Sequence, residues 1–247
     1  MTGKVTGRSP WWWIPTLYFA EGIPYFIVNN ISVTMFTKMG VPNGEMALFT
    51  SLLYLPWTLK PLWSPLVDIF RTKRWWIVMM QALVSAAFVL LALTLPSPET
   101  STQVPMSLFT FTLLLFVFAA FASATHDIAA DGFYMIALDS GKQSFFVGIR
   151  STFYRLSSIF GQGVLVVVAG VLEEKTGNIP LAWSLTLGLT AVIFSILTVY
   201  HTFALPRPAG DSAVSTDGSG SAGEFAKAFA SFFRKPGVWI AIIFMLL

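Results

Sequence analysis

Six ionisable side chains fall within long apolar stretches of this 247-residue chain: Glu21, Lys60, Asp127, Asp131, Arg150 and Arg155. A charge in hydrocarbon is costly unless it is paired or wetted, so each marks a candidate ion or solute pathway. The signs balance, as mutual neutralisation requires. Asp127 and Asp131 are four residues apart and share one helix face. Two carboxylates so placed, with no cation close, compete for a proton, which is the property a proton carrier needs. Arg150 and Arg155 are about 140° apart around a helix and cannot both face one partner. One can pair with the Asp face while the other looks into a cavity, where a guanidinium suits bidentate capture of carboxylate or phosphate. The alternative is that these groups form structural ion pairs at the water line.

Neighbouring residues extend the set. His126 precedes Asp127 but projects about 100° away, which suits an interfacial polar residue better than a proton relay. Glu21-Gly22-Ile23-Pro24 is expected to interrupt its helix and free backbone groups beside a charge, as discontinuous transporter helices do. Asn29 and Asn30 follow as cavity candidates, and Pro56, Pro61 and Pro65 are expected to kink the segment that carries Lys60.

The elements that position these residues follow from composition. The chain is 55% hydrophobic and 11% charged, against about 25% charged in soluble domains. Crossing hydrocarbon takes about 20 helical residues. Six segments reach that length: Trp11–Phe36, Glu45–Val67, Trp75–Leu95, Pro105–Ala130, Phe145–Leu172 and Ile179–Leu205. A seventh apolar run from Val238 meets the chain end at Leu247, so the expectation is a truncated seventh span and a longer intact protein. Residues 1–205 then form the membrane domain, 206–236 a cytoplasmic linker rich in Ser, Gly and Asp, and 237–247 the start of the seventh helix. Glu224–Arg234 is a candidate amphipathic helix.

Loop cations give orientation. Lys4, Arg8, Arg71, Lys73, Arg74, Lys142, Arg207, Lys227, Arg234 and Lys235 fall on one side of the six spans, Lys38 and Lys175 on the other. The N-terminus is therefore expected in the cytoplasm, and Glu21 lies near the midplane while the other five membrane charges face the cytoplasmic vestibule. Without a basic stripe interleaved with aromatics, no nucleic-acid partner is expected. The absence of Cys excludes thiolate sites, and no metal or organic cofactor is expected.

Six spans, a long linker and a new span resemble the layout of the major facilitator superfamily, in which two six-helix halves, each of 3+3 inverted repeats, flank a central site. The loop after the second span resembles that superfamily's signature at Asp68, Arg71, Lys73 and Arg74, with Ser64 where Gly is usual. It suits a conformational latch between helix ends. Three stretches resemble the AmpG-type branch, related to acetyl-CoA transporters: Phe19-Ala20-Glu21-Gly22-Ile23-Pro24, Lys60-Pro61-Leu62-Trp63-Ser64-Pro65-Leu66-Val67-Asp68 and Ala124-Thr125-His126-Asp127-Ile128-Ala129-Ala130-Asp131-Gly132. The resemblance implies an all-α transporter of the bacterial inner membrane that imports anhydromuropeptides with protons and is completed by a C-terminal half. It places Asp127 and Asp131 in proton coupling or gating, and Lys60 near the vestibule; Glu21 joins the coupling candidates as a charge near the midplane. His126 and Glu21 depart from the branch's usual residues. That leaves acyl-CoA, a sugar or a drug as alternative solutes.

An enzyme is not expected. Asp127 and Asp131 have the wrong spacing for the metal motif of phosphatidyl-alcohol transferases, and an intramembrane aspartyl protease needs its acids on two helices.

Overall fold

The computed structural model describes residues 8–41, 43–95, 106–212 and 221–240. A stretch of the expected linker, most of the seventh apolar run and Lys4 lie outside those residues. All regular structure among the described residues is helical: α1 Ile14–Phe26, α2 Ser32–Lys38, α3 Asn43–Thr58, α4 Lys60–Ile69, α5 Lys73–Thr94, α6 Met106–Ala137, α7 Ser140–Ser158, α8 Val166–Thr176, α9 Ile179–Ala204 and α10 Ser221–Arg234, with a short 3-10 turn at Pro10–Trp12. Local chemistry sets several ends. Thr72, Asp139 and Asn178 cap α5, α7 and α9, each accepting the N–H three residues on, at 3.1, 2.9 and 2.9 Å. Gly177, at φ 64°, ends α8 in the left-handed conformation that glycine tolerates.

The expected break at Glu21-Gly22-Ile23-Pro24 is not there. α1 runs through all four residues. Gly22 serves instead as a contact point, since a Cβ there would overlap Ser157 Oγ of α7. The disturbance from Pro24 emerges one turn later, where the Ile27 N–H is shared between the Ile23 and Pro24 carbonyls. Wide π-type turns over Ile27–Ile31 then carry the rod into α2. The second segment does break, at Leu59, and Pro61 falls in the first turn of α4, where its missing N–H costs nothing. α7 and α8 are joined by π-type turns over Ile159–Leu165.

Among the described residues, four helices are long and apolar enough to cross a membrane: Lys73–Thr94, Phe109–Ala137, Ser140–Thr176 and Ile179–Ala204. The other two expected spans fold as the α1–α2 rod and the α3–α4 pair. Glu21, Asn29 and Asn30 dilute the apolar character of the first, and the break at Leu59 shortens the helices of the second. α6 extends to Ala137, beyond the expected end at Ala130, so Asp131 sits more than a turn inside the helix.

α5 packs against α6 and α9, α1 against α7 and α6, and α3 and α4 against α6. One core cluster gathers around Ile27, Phe88, Phe116 and Phe194, and a second around Trp13, Tyr18, Ile77 and Phe133. The outward faces are apolar too. Leu185, Leu189, Val192, Ile196, Val199 and Phe203 of α9 recur every three or four residues and are all exposed. A continuous exposed apolar stripe of this kind belongs against lipid.

Candidate functional site

Two ion pairs converge on one face of α6. Lys60 Nζ of α4 contacts Asp127 Oδ2. Arg150 Nη2 of α7 lies 2.8 Å from Asp131 Oδ1. The Tyr18 hydroxyl of α1 donates to the same Asp131 oxygen at 3.2 Å. Arg150 also stacks on aromatic faces, with Cζ 4.6 Å from the Tyr18 ring centroid and 5.2 Å from that of Tyr134. The competition for a proton expected of Asp127 and Asp131 required that no cation be close, and each has its own.

Neutral contacts fix the registers that make these pairs. Trp63 Nε1, one turn after Lys60, donates to Thr125 Oγ1 at 3.2 Å and locks α4 to α6. The Gly22–Ser157 contact brings α1 onto α7 beside Glu21.

A cavity of about 370 Å³ opens between these helices, lined by Tyr18, Glu21, Asp127, Asp131, Arg150, Ser151, Tyr154 and Arg155. Glu21 is buried, and its Oε2 has no hydrogen-bond partner. Arg155 lines the cavity with no carboxylate among the described residues in ion-pair range. Of the two arginines, Arg150 takes the Asp face and Arg155 looks into the cavity. Tyr25, one turn beyond Glu21, packs on Trp57 with ring centroids 5.1 Å apart. A larger cavity of about 820 Å³ adjoins on the α4 side, where α10 joins Lys60, Asp68, Asp127 and Asp131 in its lining.

Asn29 and Asn30 are not brought to this site. They lie in the π-type turns, about 12 Å along the rod from Glu21, and line neither of these two cavities. Asn29 Nδ2 donates to the Tyr25 carbonyl at 3.0 Å.

Of the charges around the α4–α5 loop, Lys73 is buried while Asp68 and Arg71 stay exposed. Lys73 pairs with Asp68, donates to the Val67 carbonyl at 3.1 Å, and runs its stem against Gly132 of α6. Arg71 adopts a left-handed φ of 63° and sits over Trp75. The Asp211 carboxylate, which sequence reasoning passed over, accepts the N–H groups of Lys73 and Arg74 at 2.6 and 3.0 Å and caps α5. Arg74 in turn donates to the Thr202 and Leu205 carbonyls at the end of α9. Asp68 therefore grips its own loop, and Asp211 holds the helix terminus.

His126 is buried rather than interfacial, bonded to Gln81 of α5, which also holds His201 of α9. Gln81 and His201 are polar residues within apolar runs, which was the signal available for them.

The BT1 family matches residues 21–247, nearly the whole chain. The chain belongs to the BT1 family. BT1 proteins are part of the major facilitator-like superfamily. Two relatives carry the name "Putative transporter AmpG 4": one from Rickettsia conorii is 30% identical over 74% of this chain and 42% of its own length, and one from Rickettsia felis is 29% identical over the same shares. An uncharacterized protein of Schizosaccharomyces pombe is 28% identical over 56% of this chain and 28% of its own length. The chain thus spans about 42% of the AmpG-named relatives it matches. BT1 membership and the apolar helices make it part of a multi-pass membrane protein.

Proposed function

We propose that this chain is the N-terminal six-helix half of a proton-coupled secondary transporter of the bacterial inner membrane, importing a polar solute such as an anhydromuropeptide by alternating access. Residues 1–205 form the half-bundle with the N-terminus in the cytoplasm, 206–236 the linker, and 237 onward the start of a seventh helix. The helix neighbours support a 3+3 repeat. A two-fold that maps the first three rods onto the last three exchanges the α1–α7 contact with the α3–α6 contact. It preserves the α5–α9 and α1–α6 contacts, and all four pairs pack together.

One observation carries the coupling: Glu21 is a buried carboxylate, unpartnered at Oε2, facing a cavity whose two other acids are already neutralised by Lys60 and Arg150. Glu21 takes the proton. Asp127 and Asp131 gate, exchanging their cations as the helices move. Arg155 holds an anionic group of the solute, with Lys60 and Arg150 released to join it in the loaded state. Asp68, Arg71, Lys73 and Arg74 form the latch at the helix ends.

The test is uptake of labelled anhydromuropeptide by the full-length protein in vesicles under an imposed pH gradient. A protonophore should abolish accumulation, the solute should emerge chemically unchanged, and Asp131→Asn should uncouple or abolish uptake. Accumulation indifferent to the protonophore would remove the proton from the mechanism.

A further inference from the structure

Four helices meet at a buried chain of hydrogen bonds on the side of α6 away from the ion pairs. Gln81 Nε2 lies 2.9 Å from His126 Nε2, Gln81 Oε1 lies 3.0 Å from His201 Nδ1, and His201 Nε2 lies 3.0 Å from Thr16 Oγ1. Gln81 and His201 are fully buried and His126 almost so. The amide dictates the polarity. Its NH₂ group only donates and its carbonyl only accepts, so His126 Nε2 must be a bare acceptor and His201 Nδ1 must carry a proton. The Thr16 hydroxyl lies within reach of both His201 Nε2, at 3.0 Å, and the Trp13 carbonyl, at 3.3 Å, and a neutral His201 ring takes its proton. With each ring neutral, Gln81 is the residue that sets both tautomers.

The same chain orients α6. His126 immediately precedes Asp127 and is tied to α5, while Thr125 is tied to Trp63 and Asp127 to Lys60 of α4. Three consecutive side chains of α6 thus grip neighbours on two sides, which fixes the rotation of the helix. We propose that Gln81 is a positioning residue: by bonding His126 and His201 at once it fixes the rotation of α6, and so aims Asp127 and Asp131 at their cations. This rests on the transport reading for its purpose, but neither readout below requires uptake, so the two can fail separately.

In the full-length protein labelled with 15N-histidine and assigned through His126→Asn and His201→Asn, both rings should show one protonated and one bare nitrogen. Gln81→Glu keeps the acceptor for His201 and loses the donor for His126, so the His126 signals should change while those of His201 keep their tautomer. A role in filling space alone would move neither ring. A single cysteine at Ile128, in a background otherwise free of cysteine, should react with a water-soluble maleimide at a rate that changes at least threefold in Gln81→Leu and less in Gln81→Glu. Wild-type rings that exchange tautomers would overturn the bonding scheme. An unchanged labelling rate in Gln81→Leu, with the imidazole signals altered, would overturn the positioning role. Should Gln81→Leu fail to fold, the nearly isosteric Gln81→Glu decides by its own labelling rate, and no change there counts against the proposal.

Discussion

Arg150 of α7 meets Asp131 of α6 at 2.8 Å while its guanidinium lies over the ring of Tyr18, whose hydroxyl bonds the same carboxylate. One cation thus binds two helices, α1 and α6, to a third. A guanidinium can do this because it is planar and offers donors at its edge and a face for stacking, which an ammonium does not. Arg150→Lys should keep the charge and lose the geometry. The pair is partly exposed, so the loss is about 1–2 kcal/mol rather than the larger penalty of a fully buried pair, or roughly tenfold in uptake. Arg150→Gln should cost more than Arg150→Lys, and combining it with Asp131→Asn should recover thermal stability relative to Arg150→Gln alone. A double variant less stable than both singles would mean that the two side chains do not depend on each other.

Gly22 and Ser157 make a second dependence between α1 and α7. Ser157 is fully buried, with its hydroxyl bonded to the Tyr154 carbonyl at 2.5 Å, so it cannot easily turn away from an added methyl group. Gly22→Ala should therefore lower stability by about 1–3 kcal/mol, as overpacking does, despite the better helix propensity of alanine. Ser157→Gly removes the obstructing atoms, and in the Gly22→Ala background it should restore most of the loss. Thermal unfolding in detergent of the four proteins of this cycle measures the coupling, and strictly additive effects would show that the helices do not touch there.

The charges that build the site were legible in the sequence because ionisable groups are rare in apolar helices and stand out. Their pairing was not. Lys60 and Asp127 are 67 residues apart, and either acid could have met either cation. The helix through Glu21 was misread for a physical reason: glycine loosens an isolated helix, but here its bare Cα is occupied by the neighbouring α7, and tertiary contact outweighs propensity. Lys73 read as a solvated loop cation, yet Gly132 of α6 leaves room for its stem to run inward. Gln81 and His201 stand out in the sequence as polar residues in apolar runs, but their partners, like those of Asp211, lie more than 40 residues away, which no local pattern reveals.

Acid should act on the α6–α7 turn through Asp139. Its carboxylate accepts the Lys142 N–H at 2.9 Å and pairs with the Lys142 ammonium at 3.0 Å, which holds it below its ordinary value of 3.8. A group depressed in the folded state stabilises at pH values above its unfolded value, and that contribution fades as pH falls through the folded one. Wild type should thus be more stable than Asp139→Ala at pH 6, and the gap should close progressively below pH 3.8. Unfolding midpoints of both proteins from pH 6 to 3 provide the check. A gap that is constant over this range would mean the cap does not depend on charge.

Glu21 should separate coupling from passage. Glutamine has nearly the shape of glutamic acid but cannot exchange a proton, so Glu21→Gln mimics the protonated state permanently. If Glu21 carries the proton, the variant should still exchange labelled for unlabelled anhydromuropeptide across vesicles, because exchange needs only the loaded carrier to reorient. It should fail to accumulate the solute against a gradient, because an empty carrier that cannot release its proton is no longer driven by one. Exchange should also lose its dependence on pH, while Arg155→Ala should weaken exchange and accumulation together by impairing solute capture. Full proton-driven accumulation in Glu21→Gln would exclude this carboxylate as the coupling group, even though it is the buried acid left unpartnered in the cavity.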